Sequence, residues 1–472
     1  MKVLEITTEI SPFFKAGGLG DACNGITNSL SKRGINVRVF TILTPKMKET
    51  YTFKKVLDFE LEYQGEKVCV KISSLIHEGI LYYFWEAEDL FSRKNVYNYP
   101  DELRRFTIFS KVVIYSLPKL EFHPDIVHYH DWHMGFLPYY IREVGVKNKF
   151  YQDVKTVLTI HNFGYQGEFN LKENLQYLEF SEQYIYNHKL NYFDKINYME
   201  IGIRFTDIVN TVSNTYAKEV ENEIAKNKMN CPKRIYGVVN GLDIEHFNPK
   251  NDPNLFMNYD SSNFTLGKIN NKRYLQKKLG LVEDDSIPMI IMISRLILDK
   301  GYDLIEQIYE ELLKKNIQFI IMGDGEEYSQ LFFEVEEKYR DKFRYFLYDD
   351  KIASQLYAAA DIFLMPSHYE PCGTTQLISM KYGVITLARA TGGILDTIID
   401  YEKDNENGTG FLFHKLKKEE LLDKIEQVLS YYYNKDIWYR IALNGEQSVL
   451  SWDEQIEKYV ELFNLAQGID YK

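Results

Sequence analysis

Cysteine is scarce in this chain: Cys23, Cys69, Cys231 and Cys372 lie far apart and form no Cys-x-x-Cys pair. That spacing argues against a disulfide framework and suits reduced thiols in a cytosol. Long apolar runs are missing as well. No stretch reaches membrane-spanning length and no signal peptide precedes Val3, so a soluble, cytoplasmic protein is expected. Positive charge is in deficit: 56 Lys and Arg against 68 Asp and Glu give a formal charge of −12. Nucleic acid and anionic membrane are thereby disfavoured as main partners, and any anion site must be local. A third glycine is absent where a dinucleotide fingerprint needs one, because Gly18-Leu19-Gly20 is followed by Cys23.

What the chain does have is length and aromatic weight. Its 472 residues suffice for two domains, each with its own core. Its 37 tyrosines exceed ordinary usage. Codon bias is the larger cause, although tyrosine rings also pack on the apolar faces of sugars.

Read in order, Val3, Leu4 and Ile6 form a strand that empties into a loop over residues 15–21, with helical spacing from Asp21 to Arg33 and a β-branched run at 37–43. A strand-rich insertion over 53–86 contains a hairpin, 59–63 and 67–72, turning at Gln64-Gly65. A helix over 101–117 precedes strands at 125–129, 157–160, 208–212 and 236–239. The first half therefore reads as a parallel α/β sheet. A polar linker runs from about Asp243 to Ser262, and a second series of strands follows at 288–293, 319–322, 345–347, 362–365, 385–387 and 411–413. The expected fold is α/β, with two doubly wound, Rossmann-like domains facing across a cleft. Their bounds are 1–245 and 246–450, and a helical segment closes the chain over 451–472.

Chemistry gathers at the ends of these strands. Gly17 and Gly18 let backbone approach a ligand and Lys15 adds a mobile cation, a combination that suits phosphate, with a plain tight turn as the alternative. His128-Tyr129-His130-Asp131-Trp132-His133 offers metal-ligand residue types, but in an order unlike the common His-x-His-x-Asp-His hydrolase pattern. At the carboxyl end of a doubly wound strand such groups fit substrate hydroxyls better, and packing accounts for part of the cluster. The stretch from Thr159 through His161, Asn162 and Gly164 to Gly167 is a second polar strand end. Arg295 and Lys300 put two cations on one loop, as diphosphate neutralisation requires, against the alternative of a solvated basic loop. Pro371 and the small residues after Glu370 read as a helix start whose amides face an anion, and Thr391-Gly392-Gly393 repeats the device.

Together these stretches resemble bacterial glycogen synthases and plant starch synthases, retaining glucosyltransferases of the GT-B architecture, over nearly the whole chain. The resemblance rests on residues 15–21, 130–133, 159–167, 211–213, 240–243, 294–296, 300–301, 370–376 and 391–393. It implies transfer of glucose from ADP-glucose, less often UDP-glucose, to the non-reducing 4-hydroxyl of an α-1,4-glucan. Cofactor and metal are not expected. By position, the resemblance implies that Lys15 and Gly18 touch the donor diphosphate or sugar, Arg295 and Lys300 neutralise the leaving diphosphate, and Glu370 holds donor hydroxyls. It further implies that Gly373 and Thr374 supply backbone amides, that Asp131 and His161 line the glucose site, and that Asn240 lies near the donor. The substrate contacts expected from the resemblance extend to Asp21, Asn162, Cys372, Thr375, Thr391, Gly392 and Gly393. Three departures stand out: Glu200 where the family usually has lysine, Thr374 in place of leucine, and a segment over 221–233 that lacks the usual glycine pattern. The alternatives are a transferase with a small acceptor or UDP-glucose donor, and a glucan-binding paralogue with impaired catalysis.

Overall fold

The computed structural model describes residues 1–93, 96–145, 148–231 and 233–469. Two compact units make up the chain. The first comprises Met1–Val212, Ala217–Val238 and Trp452–Lys472, and the second Ser213–Tyr216 and Val239–Ser451. Of the closing segment expected over 451–472, residues 470–472 lie outside the described residues, as does 232 within the segment 221–233.

In chain order the first unit has strands β1 (Lys2–Ile6), β2 (Asn36–Ile42), β3 (Lys54–Tyr63), β4 (Glu66–His77), β5 (Ile80–Glu86), β6 (Ile126–His130) and β7 (Lys155–Ile160). Then come β8 (Glu168–Asn170), β9 (Asn191–Tyr192), β10 (Lys195–Asn197), β11 (Ile208–Thr211) and β12 (Ile235–Gly237). Nine of them form one sheet, ordered β12-β11-β7-β6-β1-β2-β5-β4-β3. Pairing is parallel except at the β5-β4-β3 edge, where the hairpin turns at Gln64-Gly65 with both φ angles positive. The strand order reverses between β1 and β6, and in a doubly wound sheet the carboxyl ends beside such a reversal form the ligand crevice. Residues 7–21, Asp131 and, one strand further, His161 leave the sheet there.

The helix after β1 is Gly18–Lys32, so the stretch expected to be loop up to Asp21 is already helical from Gly18. No side chain caps its first turn, but Glu9 Oε2 accepts the amides of the two residues before it, Ala16 at 2.6 Å and Gly17 at 3.1 Å, and so holds the chain at the helix entry. The helix Trp452–Ala466 packs beside it, burying Trp452, Ile456, Tyr459 and Phe463 against Cys23, Ile26 and Leu30. Burial of this kind stabilises by about 1.5–3 kcal/mol per large side chain.

The second unit contains β13 (Met289–Ile293), β14 (Gln318–Met322), β15 (Phe343–Phe346), β16 (Ile362–Met365), β17 (Ile385–Arg389) and β18 (Gly410–Phe413). All pair in parallel in the order β15-β14-β13-β16-β17-β18. Counted within the unit, this is the Rossmann order 3-2-1-4-5-6. Strands covered by helices on both faces read as continuous apolar runs, and every residue of β13, β14 and β16 is buried. The order reverses between β13 and β16, whose carboxyl ends lead to Arg295 and to Glu370. The helix expected to start at Pro371 begins at Thr375 instead, since Gly373, at φ 76°, holds the chain in the left-handed region. Among the described residues, no helix is long and apolar enough to cross a membrane.

Candidate active site

In the first unit, Asp131 terminates β6 with φ 55° and ψ −171°. That region is populated almost solely by glycine and costs on the order of 1–3 kcal/mol for another residue. The amide of Asp131 donates to Thr159 O at 3.0 Å. Its carboxylate accepts the amides of His161 at 2.7 Å and Asn162 at 3.2 Å. Burial pushes the Asp131 carboxyl up to about 7, with those two amides pulling it back. The Asn162 side chain accepts from Gly164 N at 2.9 Å, so it shapes the loop after β7.

Behind His161 runs a buried polar row. Glu5 lies in register with His128 on the neighbouring strand, and side chains in register share a face of the sheet. Glu5 Oε1 contacts His128 Nδ1 at 2.9 Å, and Oε2 contacts His130 Nε2 at 3.0 Å. His130 Nδ1 then meets His161 Nε2 at 3.0 Å. Burial alone would raise the Glu5 pKa, but the charge and hydrogen bond of His128 and the hydrogen bond of His130 hold it down at about 2. Burial lowers His130 to about 4 and His161 well below its ordinary value. At neutral pH Glu5 is ionised while His130 and His161 are uncharged.

Lys15 extends into solvent, 53% exposed, with Nζ 3.2 Å from Asp21. Asp21 also accepts Ser11 Oγ at 2.6 Å. Gly18 is exposed at the start of its helix. A cavity of about 520 Å³ in the same unit is lined by Trp132, Tyr165, Gln166, Phe169 and Tyr192.

In the second unit, Lys300 Nζ donates to Glu370 Oε2 at 2.6 Å, and Ser367 Oγ donates to the same oxygen at 3.2 Å. Glu370 is only 6% exposed. Its loop is tied down on three sides. Arg389 Nε donates to Ser367 O at 2.6 Å, His368 N donates to Asp299 O at 2.8 Å, and Gly393 N donates to Glu370 O at 3.1 Å. Gly392, at φ 46°, runs so close to Glu370 that a Cβ would stand 2.1 Å from its carbonyl oxygen. Gly392 and Gly393 thus pack against the Glu370 loop, and Thr391 before them is buried. Arg295 is exposed and has no carboxylate partner among the described residues. Thr374 and Thr375 are half-buried at the start of the helix Thr375–Lys381. Cys372 is buried, and burial pushes its thiol up to about 12. Asn240 is buried nearby, its Oδ1 without a hydrogen-bond partner among the described residues. An unpaired buried oxygen of this kind is what a bound ligand's donor would satisfy.

Two of the departures from the family pattern fit each other. Glu200 Oε1 accepts the amide of Asn230 at 2.9 Å, and Cys231 Sγ lies 3.8 Å from Glu200 O, so Glu200 holds the end of the atypical segment. Burial raises the Glu200 pKa. Glu200→Lys is therefore expected to lower the urea midpoint clearly, because it places an ammonium at a buried site and strips Asn230 N of its acceptor. Glu200→Gln keeps an acceptor. Since the folded pKa is raised, the wild type loses this group's contribution as pH climbs from 4.5 through the raised value, whereas Gln does not titrate. The Gln variant should gain on wild type over that window in urea titrations at stepped pH.

The residues unread in the sequence are Glu5, Glu9 and, of the cavity aromatics, Phe169 and Tyr192; Trp132 and Tyr165 stand in the polar strand ends, without a cavity role. An acid amid Val3, Leu4 and Ile6 was the available signal for Glu5, since a buried carboxylate needs a partner.

A family model described as starch synthase catalytic domain matches residues 2–231, and one described as glycosyl transferases group 1 matches 273–439. A glycogen synthase of Anoxybacillus flavithermus is 34% identical over 475 residues, 98% of each chain. One of Clostridium novyi is 35% identical over 98% of this chain and 99% of its own. The solved catalytic domain of starch synthase IV from Arabidopsis thaliana, bound to ADP and acarbose, superposes with a TM-score of 0.88 at 28% identity, over 99% of both chains.

Proposed function

We propose the reaction from one premise: this chain belongs to the family of glycogen and starch synthases, and it is a glycosyltransferase of GT-B fold. It transfers glucose to a glucan. The donor we take to be ADP-glucose and the acceptor the non-reducing 4-hydroxyl of an α-1,4-glucan, with retained configuration. The observation that carries the assignment of roles is the Lys300–Glu370 pair, 2.6 Å apart where the second sheet reverses.

As the anomeric C–O bond breaks, negative charge grows on the departing diphosphate. Lys300, already oriented by Glu370, and Arg295, which has no carboxylate partner among the described residues, meet that charge, and groups fixed in advance stabilise the transition state more than the ground state. Glu370 has a second oxygen to accept a donor hydroxyl. In the first unit, uncharged His161 and the Asp131 carboxyl offer hydrogen bonds to the glucose, and Lys15 adds a cation toward phosphate. The cavity aromatics Trp132, Tyr165 and Phe169 suit the apolar faces of glucan rings. No step calls for a metal ion, so the rate should survive a chelator. Cytoplasmic placement belongs to the same proposal and leans on the four free cysteines.

Glycogen supplied with glucose-labelled ADP-glucose or, separately, UDP-glucose tests the reading. Elongation by 4-linked glucose, faster from ADP-glucose, is expected. Labelling of maltose but not glycogen would favour a small-acceptor enzyme, and glycogen binding without turnover from either donor would favour an impaired paralogue.

A further inference from the structure

We infer that Cys23, His130 and His161 form a binding site for a divalent ion of the zinc class, and that an ion bound there changes the hydrogen bond His161 offers the sugar, its free Nδ1 turning from acceptor to donor. The three side chains come from separate elements: the helix Gly18–Lys32, the end of β6 and the loop after β7. Their ligand atoms all lie within 4.8 Å of one another. A tetrahedral zinc ion, with Zn–S near 2.3 Å and Zn–N near 2.0–2.1 Å, sets its ligand atoms about 3.3–3.6 Å apart. His130 Nδ1 and His161 Nε2 are already 3.0 Å apart, so the sulfur, within 4.8 Å of both, has at most about 1.5 Å to travel.

The surroundings are those of a metal centre. His130 Nε2 is held by Glu5 Oε2 at 3.0 Å, which fixes the proton on Nε2 and turns the Nδ1 lone pair toward His161. A carboxylate behind a ligating imidazole in this way orients it and raises its basicity. Binding shifts the His161 proton to Nδ1 and releases the Cys23 thiol proton to solvent, one proton per ion. The thiol gives up only a weak bond, to Thr7 Oγ1 at 3.4 Å. Cys23 and His130 are buried while His161 is partly exposed, so the ion enters past His161 and keeps its fourth position for water. Glu5, His128 and His130 also cluster, but all three are fully enclosed and both Glu5 oxygens are already bonded by imidazoles.

Ion binding stands on these residues alone, and its effect on transfer rests on the sugar role proposed for His161. Cobalt(II) titrated into the full chain should give a single-equivalent complex with a near-ultraviolet thiolate-to-cobalt charge-transfer band that zinc displaces. Cys23→Ser and Cys23→Ala should each lose the band, keep metal-free transfer within about twofold, and escape inhibition by zinc, whereas Cys69→Ser and Cys231→Ser should retain the band. Glu5→Gln should weaken cobalt binding by about 10–100-fold. Absence of the band in wild type, or its survival in both Cys23 variants, overturns the site. A Cys23-dependent band with transfer untouched by zinc upholds the site and overturns the role of His161.

Discussion

Lys300→Ala is expected to lower kcat by about 10²–10³, the loss typical of removing one preorganised group from a developing negative charge. The structure makes the effect larger than deletion of one cation. Lys300 is the strongest partner of Glu370, a residue 6% exposed whose carboxylate, among the described residues, otherwise accepts only the Ser367 hydroxyl at 3.2 Å. Without the ammonium, a buried negative charge would face the diphosphate. Glu370→Ala should cost a comparable factor, by loss of the donor hydroxyl contact and of the bond that aims Lys300. The double variant separates these contributions. Removing Glu370 from a chain already lacking Lys300 also removes the repulsion, so the double loss should fall short of the product of the single losses by about 0.5–3 kcal/mol. Initial rates with saturating ADP-glucose and glycogen, alongside thermal melts to confirm folding, read the cycle. Additivity within about 0.5 kcal/mol would mean that the pair does not act as a unit.

Where the candidate residues sit in the fold could largely be read beforehand, because topology and chemistry coincide in a doubly wound sheet. Strands buried on both faces leave unbroken apolar runs, such as the one ending at Ile293. The polar residues directly after such runs, Arg295, Glu370, Asp131 and His161, fall at the carboxyl ends where ligands bind. Helix starts were less legible. Gly18 begins a helix where Glu9, nine residues earlier in the chain, holds the Ala16 and Gly17 amides, and nothing local to Gly18 signals that contact. Conversely, Pro371 looks like a helix start, yet the fold needs the left-handed turn at Gly373 first. Glu5 shows the other limit. Its neighbours in sequence mark it as buried, but its partners are 123 and 125 residues away and become evident only from the β1–β6 register. The departure at Glu200 reads as a lost cation in sequence, whereas in the fold it is an acceptor for Asn230.

Lys15→Ala separates function from stability more sharply than any other substitution in the first unit. The Lys15–Asp21 pair spans 3.2 Å with side chains 53% and 48% exposed, and pairs of this kind contribute about 0–1 kcal/mol to folding. The melting temperature should therefore move by no more than about 2 °C in a chain this long. Catalysis should fall by about 10²–10³ if the ammonium meets diphosphate charge during transfer. Asp21→Ala provides the counterpart. It breaks the same ion pair while leaving the cation, so a structural role for the pair would make the two variants equally impaired. A role for Lys15 in charge stabilisation predicts instead that Asp21→Ala keeps most of its activity, its remaining loss reflecting a lysine no longer steered by the carboxylate that Ser11 holds. The split between kcat and KM adds a further discriminant. Interactions made only in the transition state lower kcat with KM nearly constant, whereas equal binding of ground and transition states raises KM alone. A Lys15→Ala enzyme with wild-type kcat and raised KM for ADP-glucose would reduce Lys15 to a docking charge, and its glycine-rich loop to a turn.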